Sequence, residues 1–213
     1  SEASLRRASL QGAHFIEASL SSTVIEAANF TGAMMTGAQM KLLHVAEGAI
    51  FDRASLEGNV IVDSLLIRNS FRGARMSSVR MEDVKLDFSD FRGAQMDRTQ
   101  LIDSWMVSVN LQGVFLDGVK LDVRLNDADL RDASLVGADL TGASLQRARA
   151  TGADFSRSLL KGADFSGASL VNATFKDAVV GLYDGIDTSF LGASCGATVF
   201  AFRGPTRTRG PPC

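Results

Sequence analysis

A five-residue period runs through this chain and is clearest between Leu125 and Val180. Along that stretch a bulky apolar residue, here called a centre, occupies every fifth position except Ala150. A small residue, usually Ala, lies two positions before nearly every centre. An α-helix repeats every 3.6 residues and a β-strand every two, so neither accounts for the pattern. The period instead indicates a chain that turns a corner every five residues and directs two side chains inward per repeat.

The pattern covers nearly the whole chain in three frames, with centres over Leu5–Val45, Phe51–Leu121 and Leu125–Phe200. One extra residue near Glu47–Phe51 and one missing residue between Leu121 and Leu125 separate the frames. No Asp, Glu, Lys, Arg or His occupies a centre or the position two before it, although 22% of the chain is charged. Because an unpaired buried charge costs several kcal/mol, these positions are predicted to face a dry interior.

A longer period of about twenty residues groups the repeats by four. Phe30, Phe51, Phe71 and Phe91 follow one another at steps of 21, 20 and 20 residues. Four five-residue sides per coil therefore predict a column of stacked Phe rings, with coils joined by parallel β-ladders about 4.8 Å apart. A chain of 213 residues would then make about ten coils.

Several short runs resemble the consensus Ala-Asp/Asn-Leu-x-x of the pentapeptide-repeat family. They are Ala128-Asp129-Leu130, Ala138-Asp139-Leu140, Ala153-Asp154-Phe155 and Ala163-Asp164-Phe165. The resemblance extends over residues 1–200. It implies an all-β fold, a right-handed quadrilateral parallel β-helix.

Two regions are predicted along the chain: a β-helix over residues 1–202 and a Pro/Gly/Arg-rich tail over 203–213 that is expected to be disordered. Pro205, Pro211 and Pro212 cannot donate to a ladder and are expected to end the solenoid. The first residues already lie within the pattern and lack an initiator Met, which suggests a domain of a longer protein. No 18-residue apolar run or signal peptide is visible. We therefore expect a cytoplasmic protein, with export by a specialised secretion system as an alternative.

The sequence offers no enzyme-like constellation. His14 and His44 are thirty residues apart, one and a half coils, and so fall on opposite sides as surface residues. No Gly-rich phosphate loop opens a helix. The Asp residues of the repeats are better suited to hydrogen-bonding nearby backbone at the corners than to acid–base chemistry. We therefore predict no enzyme, no cofactor and no metal site.

An outward acidic column is the first candidate site. Asp63, Asp83 and Asp103 are one coil apart, and Asp122 falls near the same line; these four residues are called the acidic stripe. One interpretation is that they are Asx-type corner residues. The other is an anionic surface that meets a basic partner. The family resemblance implies a specific version of the second, since some members protect type II topoisomerases from quinolones by imitating DNA.

Two observations run against a strongly anionic protein. Arg72, Arg92 and Arg131, called the basic line, occupy another side, and the formal net charge is only −2. This balance predicts neither direct nucleic-acid binding nor attraction to a membrane surface.

The second candidate site is apolar. Exposed, contiguous apolar area marks interfaces, and Trp is enriched at binding hot spots. The alternative is a scatter of ordinary surface hydrophobes. Seven residues, called the apolar set, fall on outward positions of two adjoining sides within about two coils: Val60, Val62, Leu65, Ile67, Ile102, Trp105 and Val107.

Taken together, the sequence predicts a non-catalytic β-helical scaffold that mediates protein–protein interaction or self-association. A DNA-mimicking inhibitor of a type II topoisomerase such as gyrase, or a quinolone-protection protein, is the alternative.

Overall fold

The computed structural model describes residues 3–44, 46–204 and 207–210, and it confirms a parallel β-solenoid. Parallel bridges join each coil to the next, as Ser70 is joined to Asp90 and Asp90 to Asn110. The Phe71 N–H donates to the Asp90 carbonyl at 2.8 Å, which is the bond that repeats along the rod. No helix occurs within the described residues.

The strands are short because the chain turns after every few residues. Within the described ranges they are β1 (Gln39–Lys41), β2 (Val60–Leu65), β3 (Arg80–Lys85), β4 (Gln100–Trp105), β5 (Lys120–Arg124), β6 (Thr174–Lys176), β7 (Leu182–Tyr183), β8 (Ile186–Ser189), β9 (Val199–Ala201) and β10 (Thr208–Arg209). Strands β1 to β5 form a parallel sheet in chain order, and β6 pairs in parallel with β9. Strand β8 pairs antiparallel with β7 and parallel with β10.

Both frame shifts are present in the hydrogen-bond ladder. The Leu42 N–H donates to the carbonyl of Val62, twenty residues on, whereas the Gly48 N–H donates to Ile67, nineteen on. The extra residue therefore lies between Leu42 and Gly48, slightly before the predicted position; the predicted centre Val45 is outside the described residues. The second shift is a register irregularity between Leu101 and Ser104, where β5 has one residue fewer than β4.

The predicted column of Phe rings is confirmed. Phe30, Phe51, Phe71 and Phe91 are fully buried, with successive ring centroids 5.0, 5.0 and 4.7 Å apart and planes within 8° of parallel. Among the described residues, Asp129 is the only buried charged residue, and it does not occupy a position predicted to point inward. This column defines one edge of the core over four coils.

The fully enclosed core is shorter than the predicted ten coils. It runs from Leu20 to Phe190 and comprises about 8 turns. Leu5, Leu10 and Phe15 are only partly buried against it. The reason is geometric, because a terminal coil has a neighbouring coil on one side only.

The C-terminal end departs from the period. Asp164 is bridged to Ser189, twenty-five residues on, because five extra residues form a hairpin from β7 and β8. Its tip has positive φ at Asp184 (45°) and Gly185 (75°), as tight hairpin turns require.

The predicted disordered tail is wrong for part of its length. Strand β10 pairs with β8, and Arg207 forms an ion pair with Asp187 at 3.0 Å. Backbone hydrogen bonds and charge thus hold this segment against the last coil. Pro205, Pro211 and Pro212, predicted to end the solenoid, lie outside the described residues.

Candidate interaction face

The corners of the solenoid explain the residue types found on them. The residue two positions after a centre adopts a left-handed conformation, as at Gly73 (φ 61°) and Gly93 (φ 68°). Glycine enters this region without a steric penalty, and Asp and Asn are the next most tolerant residues. Asp63, Asp83 and Asp103 occupy this position with φ of 49°, 51° and 47°.

These three Asp residues form a column along one corner of the sheet β2–β3–β4. Val62 pairs with Glu82 and Ser64 with Val84, so Asp63 and Asp83 lie level with each other between these pairs. All three side chains are exposed. Asp122, also exposed, continues the column on β5, where it alone faces the Ile102–Asp103 pair of β4.

The acidic stripe has no partner within residues 3–44, 46–204 and 207–210. Among the described residues, none donates a hydrogen bond to the four carboxylates or forms an ion pair with them. Asp63, Asp83 and Asp103 hold a left-handed corner. The Asx interpretation also predicts that the side chains bond nearby backbone, and no such bond to the four carboxylates occurs among the described residues. Neighbouring rungs are about 4.8 Å apart, so like charges repel along the column.

Other repeat carboxylates behave as the sequence predicts. Asp90, Asp154 and Asp164 each accept the backbone N–H of the residue two positions on, at 3.1, 2.8 and 2.9 Å. This Asx bond satisfies a corner donor that has no ladder partner. The contrast with the acidic stripe separates structural carboxylates from free ones.

Each arginine of the basic line forms an ion pair with an aspartate. Arg72 and Arg92 both pair with Asp90 at 2.7 Å. Arg131 pairs with Asp129 at 2.6 Å. Because two guanidinium groups share each of these carboxylates, Asp90 and Asp129, this part of the surface keeps a net positive charge.

Asp129 is the most enclosed member of these ion pairs. Its side chain is 3% exposed, and a second guanidinium, that of Arg149, lies 3.0 Å away. Burial raises the pKa of Asp129, but hydrogen bonds from Arg131 and the charges of Arg149 and Arg131 outweigh it and lower the pKa overall. The same balance, with Arg92 and Arg72 as partners, lowers the pKa of Asp90.

The apolar set is split into two bands by a charged coil. Strand β3 lies between β2 and β4, and each of its outward positions carries a charge. Arg80 follows Val60, Glu82 separates Val62 from Ile102, and Lys85 separates Leu65 from Trp105. Asp87 lies between Ile67 and Val107 and accepts the Val107 N–H at 2.8 Å. The seven residues do lie on adjoining sides within two coils, but they do not form one contiguous apolar patch.

Trp105 is the member of the apolar set that joins the acidic stripe. It is 38% exposed, with Lys85 Nζ 4.1 Å and Arg124 Cζ 5.3 Å from its ring centroids on either side. Cations over an indole face are attracted by its quadrupole, so the ring is held in place. Trp105 lines one surface hollow together with Asp83, Asp103 and Asp122.

Leu65 and Ile67 line a different hollow, together with His44, Glu26 and Glu47. His44 and His14 are both exposed, as predicted.

Within residues 3–44, 46–204 and 207–210, no group of three His, Cys, Asp or Glu residues is placed to hold a metal ion. The same ranges contain no helix of the length and apolarity needed to cross a membrane.

Tyr183 is a residue of this face that sequence reasoning missed. Gly142 and Gly162 occupy the same corner position as the acidic stripe, in the next two coils, with φ of 72° and 68°. The Tyr183 side chain packs on both: a Cβ added at Gly162 would lie 2.9 Å from its Cβ, and one at Gly142 would lie 3.2 Å from its ring. Tyr183 and Asp122 line a common hollow. Two glycines one coil apart, followed by a fault in the period, were the available signal.

Comparison with known proteins agrees with this architecture. The family model described as pentapeptide repeats matches in 8 copies over residues 1–41, 74–113, 124–162 and 158–179. No curated protein matches the chain.

Two solved structures share the fold. The first is HetL, a pentapeptide repeat protein involved in heterocyst differentiation regulation from the cyanobacterium Nostoc sp. strain PCC 7120. It is 24% identical, with 94% of this chain and 88% of HetL covered and a TM-score of 0.64. The second is full-length QnrB1, a plasmid-mediated fluoroquinolone resistance protein, 18% identical, with 92% of each chain covered and a TM-score of 0.53. With the repeats matched over most of its length, the chain belongs to the pentapeptide-repeat family.

Proposed function

We propose that this protein is a non-catalytic scaffold that binds a protein partner through the acidic stripe and Trp105. The observation that carries the proposal is that the four carboxylates have no partner among the described residues. Elsewhere on the rod, Asp90 and Asp129 are enclosed in ion pairs, whereas the acidic stripe has no hydrogen-bond or ion-pair partner in the part of the chain that the structure describes.

An unpaired column of like charges destabilises the free protein, because the carboxylates repel one another across neighbouring rungs. A basic partner would relieve that repulsion on binding. Complementary charge also accelerates encounter and fixes orientation. Trp105 supplies a partly exposed aromatic side chain next to the carboxylates, which is the residue type that most often anchors an interface.

Replacing Asp83 and Asp103 together with Asn is expected to remove partner binding without unfolding the rod. Asn retains the left-handed corner, since it tolerates positive φ as Asp does. The measurement is affinity capture by the immobilised full chain, followed by mass spectrometry. Proteins held by the wild type should be lost from the D83N/D103N variant.

The matched control is the D132N/D177N variant. Asp132 and Asp177 are exposed corner residues with φ of 58° each, and their replacement changes the net charge by the same amount. This variant should retain the captured proteins. If both variants capture the same proteins as the wild type, the acidic stripe is not the binding surface.

Inhibition of a type II topoisomerase by DNA mimicry is the second candidate function. It is favoured by the acidic stripe together with the fold shared with QnrB1, a fluoroquinolone resistance protein. Charge density ranks it second, because the stripe carries about one charge per 4.8 Å, whereas duplex DNA carries about one per 1.7 Å. This function would require a cytoplasmic location.

A supercoiling assay with purified gyrase tests this candidate. If the protein mimics DNA, the wild type and D132N/D177N should inhibit supercoiling or restore it in the presence of a quinolone, and D83N/D103N should not. Unchanged gyrase activity at micromolar wild-type protein, with and without quinolone, would exclude it.

A further inference from the structure

The hairpin formed by β7 and β8 carries an apolar surface that the solenoid does not need for its own core. Leu182, Tyr183 and Ile186 are each about half exposed, and they are clustered around the tight turn at Asp184–Gly185. Clustered exposed apolar side chains are unfavourable in water and mark surfaces that are covered by a partner.

Hydrogen bonds and side-chain packing hold the hairpin against the solenoid. The Thr188 hydroxyl is fully buried and donates to the Leu160 carbonyl at 2.6 Å, while it accepts the Gly181 N–H at 3.0 Å. Tyr183 packs on Gly142 and Gly162, where the absence of a Cβ makes room for it. The hairpin therefore has a defined position on the corner.

That position is the direct continuation of the acidic stripe. Asp122, Gly142 and Gly162 follow one another on one corner, so the carboxylates end where the Tyr183 side chain begins. From Asp63 to Gly162 there are five steps of the ladder, or about 24 Å. The corner thus presents a row of negative charges followed at one end by an apolar tip.

We infer that this corner binds an extended, basic segment of a partner protein, with Lys or Arg side chains along the acidic stripe and an apolar side chain against the hairpin tip. The inference rests on the proposed function and names the chemistry of its partner. An extended strand rises about 3.4 Å per residue, so about seven residues span the 24 Å. Alternate side chains of such a strand point to the same face, so a basic residue at every second position would place all the positive charges against the acidic stripe.

The chain contains a single Trp, Trp105, which lines the same hollow as Asp83, Asp103 and Asp122. Its fluorescence therefore reports on occupation of the stripe. The probe is the synthetic peptide Lys-Ser-Lys-Ser-Lys-Ser-Leu-Ser, titrated into the full chain at low salt, with isothermal titration calorimetry as a second measurement. We expect saturable binding that weakens as salt is raised, because exposed charge pairs are screened.

Two pairs of variants assign the binding. The D83N/D103N substitutions should lower the affinity for the peptide by about tenfold, as expected for the loss of two exposed charge pairs. The double variant Leu182→Ser with Ile186→Ser, called the hairpin variant, should lower the affinity for the peptide by about fivefold, because apolar burial is lost while Tyr183 stays in place. Each variant has its own control. D132N/D177N removes two exposed charges elsewhere on the rod. Ile16→Ser with Phe115→Ser removes two exposed apolar side chains elsewhere. Both controls should bind as the wild type does.

The failures are distinguishable. If D83N/D103N lowers the affinity for the peptide and the hairpin variant does not, the inference about the hairpin is wrong and the proposed function stands. If the wild type does not bind the peptide, or binds it equally in all variants, the partner chemistry is wrong, whatever the capture experiment shows. If sedimentation reveals a wild-type dimer that the hairpin variant dissociates, a second copy covers the tip, and this inference is overturned.

Discussion

Replacement of Phe71 with Ala is expected to lower the free energy of unfolding by about 3–5 kcal/mol, the usual cost of removing a buried aromatic side chain. Phe71 is fully buried between two parallel rings, those of Phe51 at 5.0 Å and Phe91 at 4.7 Å. The substitution removes transfer free energy, leaves a cavity and deletes two ring contacts. The coils above and below cannot collapse into the gap, since their ladder bonds hold them apart. Urea unfolding monitored by circular dichroism measures the loss.

Phe115→Ala is the matched control. Phe115 is 62% exposed, so the same chemical change there should alter the free energy of unfolding by no more than about 0.5 kcal/mol. A loss of less than about 1 kcal/mol for Phe71→Ala would mean that the ring column does not hold the rod together. Because solenoid stability is a sum of neighbouring coil contacts, the damaged rod should also unfold less cooperatively than the wild type.

The stability of the rod is expected to fall as the pH is lowered through the acid range. The folded-state pKa of Asp129 lies below its unfolded value, because hydrogen bonds from Arg131 and the nearby guanidinium charges outweigh the effect of burial. Such a group contributes stability that is present above the unfolded pKa and lost as pH falls through the folded pKa. Asp90 and Asp164 are shifted in the same direction. The free energy of unfolding should therefore change little between about pH 7 and 5 and decline below about pH 4.

Removing both guanidinium partners of Asp129, in the R131A/R149A variant, tests this assignment. The variant leaves a 3% exposed carboxylate without its ion pairs. It should cost about 1–3 kcal/mol at pH 7, as expected for a buried polar group that loses its partners. Because the variant loses the groups that lower the pKa of Asp129, its free energy of unfolding should fall less than that of the wild type as the pH is lowered below about 4. The K161A/K176A variant removes two exposed charges that have no ion pair in the described chain, and it should behave as the wild type does. Parallel pH profiles for all three proteins would contradict the role of Asp129.

Much of the fold was predictable because its signal is local. The inward residue and its partner two positions earlier repeat within each five-residue side, so the three frames could be read along the chain. The spacing of Phe30, Phe51, Phe71 and Phe91 then predicted which rings meet, since residues one coil apart must stack. The prediction failed at the ends, where the number of neighbouring coils changes, and at Thr208–Arg209, where pairing with β8 orders a segment of poor strand composition.

The candidate face was only partly predictable. The alignment of Asp63, Asp83 and Asp103 followed from the period, but the pairing state of their carboxylates did not. Asp127 and Asp83 both lie two residues after a centre with positive φ, yet Asp127 pairs with Arg147, whereas Asp83 has no ion pair among the described residues. The residues of the apolar set do not form one contiguous patch, because strand β3, whose outward residues are charged, lies between its two halves.

The sequence alone determined the solenoid, its frames, its core columns and the corner on which the acidic stripe lies. These features depend on burial, and burial imposes the same requirement on each repeat. Only the tertiary structure decided which carboxylates are free and where the hairpin is seated. Those features depend on contacts between residues eighteen to forty-one positions apart, such as Arg72 with Asp90 and Tyr183 with Gly142. A surface ion pair or a side chain packed on glycine leaves no periodic trace, because each is made once and by residues that the core does not constrain.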